Sequence, residues 1–146
     1  MNELLLIVTI AGSRVAFPAA KVESVVELDA LSPVPRAAAH VAGLSALRSR
    51  VLTVIDCRRS LELGASDLSG LHEAAVVEVD GHHYALTVDA VEDVVEASSD
   101  PQPVRASMEA GWDRVGLGMV ETEEGPLLLI DIDALIAGPP GDRAVA

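Results

Sequence analysis

The chain has 146 residues, half of them hydrophobic, and its 10 basic and 23 acidic residues give a net charge of −13. That balance argues against nucleic acid and anionic membrane surfaces as partners, because both are bound through clustered Lys and Arg. One cysteine, Cys57, leaves no intrachain disulfide and fits a reducing compartment.

Only Phe17, Tyr84 and Trp112 are aromatic, so the core is expected to be built from Val, Leu, Ile and Ala. Val and Ile suit pleated, half-buried surfaces. The opening apolar run over 4–11 has no basic start and is far shorter than the ~20 residues of a spanning helix. It reads as a buried strand, and the protein is expected to be cytoplasmic, with no direct membrane insertion.

Taken in order, residues 3–10 predict a strand, 11–13 a turn, and 14–18 a returning strand closed by Pro18, which cannot donate to a ladder. "AAKVES" predicts a helical turn and "VVEL" a short strand. The proline-marked loop 29–39 leads to the strands "HVAGLSALR" and "RVLTVID" and the short helix "CRRSLEL". Residues 64–72 have linker composition. The script then repeats: strand 73–79, the hairpin turn Asp80-Gly81, and strand 82–88. A helical turn in "DAVED", a strand in "VVEA" and a loop over 98–113 follow. Strands "RVGLGMVE" and "GPLLLID" and the helix "DALIAG" complete it, and 138–146 reads as a mobile tail.

The repetition is visible residue by residue. At a spacing of 69 positions, "VESVVE" (22–27) recurs as "VEDVVE" (91–96), with seven identities over 10–27. Such a repeat marks one structural unit built twice. Five short strands per copy, without a long crossover helix, close most easily into a small barrel. The expected division is a first barrel over 1–63, a linker over 64–72 and a second barrel over 73–137.

The candidates for chemistry favour binding over catalysis. Asp56 and Asp131 stand between an apolar strand and a short helix, where aspartate caps backbone N–H groups. His82 and His83 are adjacent, so on a strand they point to opposite faces and do not form a metal-ligand set. Cys57 after a strand reads as a small apolar filler. No phosphate loop or nucleophile elbow is present. Neither enzymatic activity, a cofactor nor a metal is expected. Arg48, with Arg50, Arg58 and Arg59 nearby in a very acidic chain, is a candidate contact residue.

The stretch "PVPRAAAHVAGLSALRSRVLTVIDCRRSLEL" (33–63), with "TVDAVEDVV" (87–95) and "VGLGMV…GPLLLIDIDALI" (115–136), resembles the CheW-like coupling domain of bacterial chemotaxis over roughly 4–137. Ala46-Leu47-Arg48-Ser49 stands where that family usually has Asn-Leu-Arg-Gly, and Ser24 where many members are acidic. The resemblance implies a mainly β chain of two similar five-stranded, SH3-like barrels with short helices. It implies a non-catalytic cytoplasmic adaptor, monomeric when isolated and recruited to membrane receptor arrays. Its partners would be the cytoplasmic tip of a methyl-accepting chemoreceptor and the regulatory domain of the histidine kinase CheA. Leu6, Ala19, Val22, Val25 and Arg48, with Val91 and Val94 from the repeat, are the expected receptor-binding residues. Pro33, Val34, Pro35, Val41, Pro103, Val104 and Met108 are the expected kinase-binding ones. The alternatives are an adaptor of another kinase pathway, in motility or development, and, further off, a small-molecule-binding double barrel.

Overall fold

The structure is a computed structural model that describes residues 3–29, 31–68, 70–104 and 108–140. Its strands are β1 (Leu4–Ile10), β2 (Ser13–Pro18), β3 (Val22–Leu28), β4 (Val41–Leu47), β5 (Arg50–Ile55), β6 (His72–Val79), β7 (His82–Val88), β8 (Ala90–Glu96), β9 (Gly116–Thr122) and β10 (Gly125–Ile130). Three short helices accompany them: α1 (Cys57–Ser60), α2 (Ala110–Val115) and α3 (Ile132–Ala137). No helix among the described residues is long and apolar enough to cross a membrane.

The strands form two five-stranded sheets, ordered β8-β1-β2-β10-β9 and β3-β6-β7-β5-β4. The two orders map onto each other through the repeat, with β1 in the place of β6, β2 of β7, and β3–β5 of β8–β10. Each sheet is closed by the loop that follows its edge strand. Ser32 exchanges two 2.9 Å backbone bonds with Leu44, and Gln102 two 2.8 Å bonds with Met119.

The expected division at 63 and 73 is therefore corrected. Each barrel takes its leading hairpin from one half of the sequence and its other three strands from the other half. The hairpin β1–β2 joins β8–β10, and β6–β7 joins β3–β5, through parallel contacts of β2 with β10 and β7 with β5. The physical reason lies in the faces of the hairpins. Leu5 and Ile7 point into one barrel, while Leu6, Val8 and Ile10 point away from it into a core shared by both barrels. Ala74 and Val76 likewise fill the other barrel, while Ala75 and Val77 meet the shared core. Strands apolar on both faces must be covered twice. Crossing the hairpins over covers them.

Local signals explain the turns. Ala11-Gly12, Arg48-Ser49 and Asp80-Gly81 all have positive φ, the two-residue hairpin turn that matches the twist of antiparallel strands. Asp56 and Asp131 cap α1 and α3, accepting from the backbone N–H of Arg59 at 3.2 Å and of Ala134 at 3.3 Å. Four further expectations are corrected. The helical turn is limited to a 3₁₀ turn over Ala19–Lys21 in the first copy, with strand β8 already under way at Ala90 in the second. The loop expected over 98–113 already enters α2 at Ala110. Gly111 packs there against the backbone of Leu61, leaving no room for a Cβ, and Arg114 donates to the carbonyls of Ser60 and Ala134, tying the three helices together. Of the tail expected over 138–146, Gly138 and Pro139 are buried, and 141–146 lie outside the described residues. The linker, finally, is fastened: Ser66 donates from its backbone N–H (2.9 Å) and its hydroxyl (2.6 Å) to the Asp56 carboxylate.

Candidate functional site

The echoed segments become edge strands, each interrupted by a bulge. In the β3–β6 pair, Val22 faces Val77 and Ser24 faces Val76, leaving Glu23 unpaired in the ladder. In the β8–β1 pair, Val91 faces Val8 and Asp93 faces Ile7, leaving Glu92 in the same position. An inserted residue changes the alternation of a strand. Val22 and Val25, three apart, therefore share one face, as do Val91 and Val94.

That face is the inter-barrel one. Val25 lies opposite Ala75 and Val94 opposite Leu6, both members of the shared core. Val22 and Val91 are half-buried against this core, and Leu6, at 7% exposure, is inside it. Ala19 is half-buried on the 3₁₀ turn, which packs against β1. Val25 and Val94 stay 42% and 49% exposed. Of the expected receptor-binding residues, then, Leu6 is core, Ala19, Val22 and Val91 are partly covered, and Val25 and Val94 offer open apolar surface.

The bulged glutamates are matched with cations. Glu92 Oε2 stands 3.0 Å from Arg14 Nε. Glu23 Oε2 stands 3.1 Å from Arg50 Nη1 and 3.5 Å from His83 Nε2, which is also 3.1 Å from Glu78. Glu23, Glu78 and His83 form the one group among the described residues whose possible ligand atoms converge within 4.8 Å. Arg50 already neutralises its central oxygen. The sequence signal missed here was the bulge, which brings Glu23 beside β5 and β7.

Arg48 is exposed at the β4–β5 turn with φ of 50°, and it makes no ion pair among the described residues. It borders an open depression of about 530 Å³ with Val25, Val26, Leu47, Arg50 and Leu52. An unpaired guanidinium beside apolar side chains can clasp a carboxylate bidentately while its neighbours lose apolar area to water. Val51 and Leu4, both more than half exposed, enlarge the apolar surface beyond the expected residues. Leu4 is the first residue of β1, and Val51 lies on the face of β5 opposite the buried Leu52 and Val54.

The two expected kinase-binding loops occupy equivalent places. Pro33, Val34, Pro35 and Pro103 are exposed, whereas Val41, Val104 and Met108 pack against the shared core. Residues 105–107 lie outside the described residues. Gly43 and Gly118 let both loops cross closely over the sheet: a Cβ on them would come within 2.7 Å of the Ser32 carbonyl oxygen and 2.8 Å of that of Gln102.

The remaining reactive groups are engaged structurally. Cys57 is completely buried, which pushes its thiol far up from the ordinary range and keeps it protonated. Asp56 is committed to α1 and Ser66, and Asp131 to α3.

Comparison with known proteins agrees with this architecture. The model of the CheW-like domain matches residues 4–139. A curated relative, the chemotaxis protein CheW of Rhizobium meliloti (strain 1021), is 29% identical over 119 residues, covering 79% of this chain and 74% of its own length. The crystal structure of the scaffolding protein TtCheW from Thermoanaerobacter tengcongensis superposes with a TM-score of 0.76 at 20% identity, over 98% of this chain and 92% of that one. That likeness concerns the fold, two SH3-like barrels with short helices. With its swapped hairpins, its repeated bulges and a family match over nearly its whole length, the chain belongs to the CheW-like domain family.

Proposed function

We propose that the chain is a non-catalytic adaptor that couples chemoreceptors to the histidine kinase CheA, working in the cytoplasm and recruited to membrane receptor arrays. Family membership supports an adaptor of chemotaxis, and the relatives bear the names of a chemotaxis protein and a scaffolding protein. The observation that carries the receptor half is the pair Val25 and Val94. Both copies of the repeat leave one valine nearly half exposed on the inter-barrel face.

A receptor tip is helical, and a helix presents an apolar stripe suited to such a face. Val25 and Val94 would meet that stripe, with Ala19, Val22 and Val91 supporting them from below. Leu6 contributes by holding Val94 in place across the β1–β8 ladder. Arg48 would take a receptor carboxylate. The regulatory domain of CheA, itself of this fold, would dock on the exposed prolines and Val34 of the barrel-end loops. Val41, Val104 and Met108 would act there as anchors that fix the loops.

Photo-cross-linkers at Val34 and Pro103 test the kinase half. They should capture the CheA regulatory domain, while a cross-linker at Val25 should capture the receptor tip. Capture of the kinase only through Val22 or Val91 would place its contact elsewhere.

A further inference from the structure

The two bulged glutamates meet different partners. The repeat sets Thr9 and Arg14, a cross-strand pair of the β1–β2 hairpin, where the β6–β7 hairpin has the pair Glu78 and His83. In the first hairpin Arg14 Nε and the Thr9 hydroxyl each donate to Glu92 Oε2 at 3.0 Å. That glutamate is held by a permanent cation and a donor, both built into the hairpin. In the second hairpin an imidazole replaces the cation and a carboxylate replaces the hydroxyl. Glu23 Oε2 and Glu78 Oε2 stand 3.5 Å and 3.1 Å from His83 Nε2.

Two carboxylates facing one imidazole nitrogen call for positive charge between them. No ring N–H supplies it, since His83 Nε2 is buried and forms no hydrogen bond. Arg50 answers Glu23 from β5, but Glu78 has no ion-pair partner other than His83 among the described residues. The three possible ligand atoms lie within 4.8 Å of one another. Ligands ~2.0–2.2 Å from a zinc ion are roughly 3–3.5 Å apart. Both distances to His83 Nε2 fit that range, and the two glutamates are exposed enough to close the third.

We propose that Glu23, Glu78 and His83 bind a divalent transition-metal ion of the zinc class, with water completing its shell. One imidazole nitrogen and two carboxylate oxygens suit Zn²⁺, whereas Ca²⁺ and Mg²⁺ prefer oxygen throughout. The ion takes the place that Arg14 fills in the other barrel. It also displaces Arg50 from Glu23, an exposed and therefore weak ion pair whose arginine can turn into solvent. Adjacent histidines gave no hint of this set, because His82 takes no part and the β3 bulge supplies the third ligand.

The test is calorimetric titration of the whole chain, stripped with a chelator, with zinc chloride and with magnesium chloride. Zinc should bind as a single ion with micromolar affinity, shift the amide NMR signals of Glu23, Glu78 and His83, and raise the melting temperature. Magnesium at millimolar concentration should do none of these. His83→Gln and Glu78→Gln should each weaken zinc at least tenfold, so either variant suffices if the other fails to fold. Arg50→Gln, which removes the competing cation, should strengthen zinc several-fold. Glu92→Gln, at the equivalent place in the other barrel, should leave it unchanged. No response to excess zinc overturns the proposal, as does a folded His83→Gln or Glu78→Gln chain that binds zinc normally, or weaker binding by Arg50→Gln.

Discussion

The bulged Glu23 pairs with Arg50, not with Arg48: its Oε2 lies 3.1 Å from Arg50 Nη1, while Arg48, two residues earlier on the same hairpin, has no ion pair among the described residues. Both members of the Glu23–Arg50 pair are substantially exposed, so a double-mutant cycle should give a coupling of only ~0.2–1 kcal/mol, shrinking with added salt. Arg48→Ala should leave the melting temperature nearly unchanged and weaken receptor binding. A clear loss of stability with binding intact would make Arg48 a structural residue.

The turn that carries Arg48 is strained. Arg48 and Ser49 have φ of 50° and 69°, a region that L side chains enter at a cost of roughly 1–2 kcal/mol per residue. Ser49→Gly should therefore raise stability by about 1 kcal/mol, seen as a higher denaturant midpoint with an unchanged slope. An unchanged or lower midpoint would show that the turn is relaxed.

Gly118 has φ of 139°, and its loop neighbour Gln102 leaves no space for a Cβ. Gly118→Ala should cost about 1–3 kcal/mol through backbone strain and overpacking. It should also loosen the Gln102–Met119 bridge, speeding hydrogen exchange at both amides. Slow exchange there in the variant would contradict the closure role of this glycine.

Burial of Cys57 makes stability depend on alkaline pH. The thiol of the unfolded chain ionises near its ordinary value of 9.0, while the folded thiol is held protonated well above it. Above pH 9.0 the native state thus retains a proton that the unfolded state loses. The stabilisation is complete below that pH and is lost as pH rises, by up to about 1.4 kcal/mol per pH unit. Cys57→Ala should flatten this limb of the profile. An equal alkaline loss in the variant would assign it to other groups.

Much of this was legible in the sequence because the signals are local. The hairpin turn at Asp80-Gly81, the strand end at Pro18 and the caps at Asp56 and Asp131 follow from single residues and their neighbours. The crossing of the hairpins was not legible. Leu5 and Leu6 are both apolar, and nothing in a doubly apolar strand says which barrel each face will meet. The spacing of Val22 and Val25 imitated a helical turn, because a bulge and a turn both bring residues three apart to one face. Of the candidate site, the exposed valines followed from the repeat. The burial of Leu6 and the pairing of Glu23 depend on contacts with strands distant in the chain.

The valine pair gives the most direct test of the adaptor account. Val22 is a poor probe, since its contact with the shared core would confuse folding with binding. Val25→Asp and Val94→Asp place the charge on open surface, where the free protein should tolerate it. In the complex each would bury an unpaired carboxylate, costing about 3–5 kcal/mol. The measurement is the equilibrium affinity of a chemoreceptor's cytoplasmic tip for wild type and for both variants, with melting curves alongside. The account predicts unchanged melting and at least a hundredfold loss of affinity for each variant; wild-type affinity in both folded variants would contradict it.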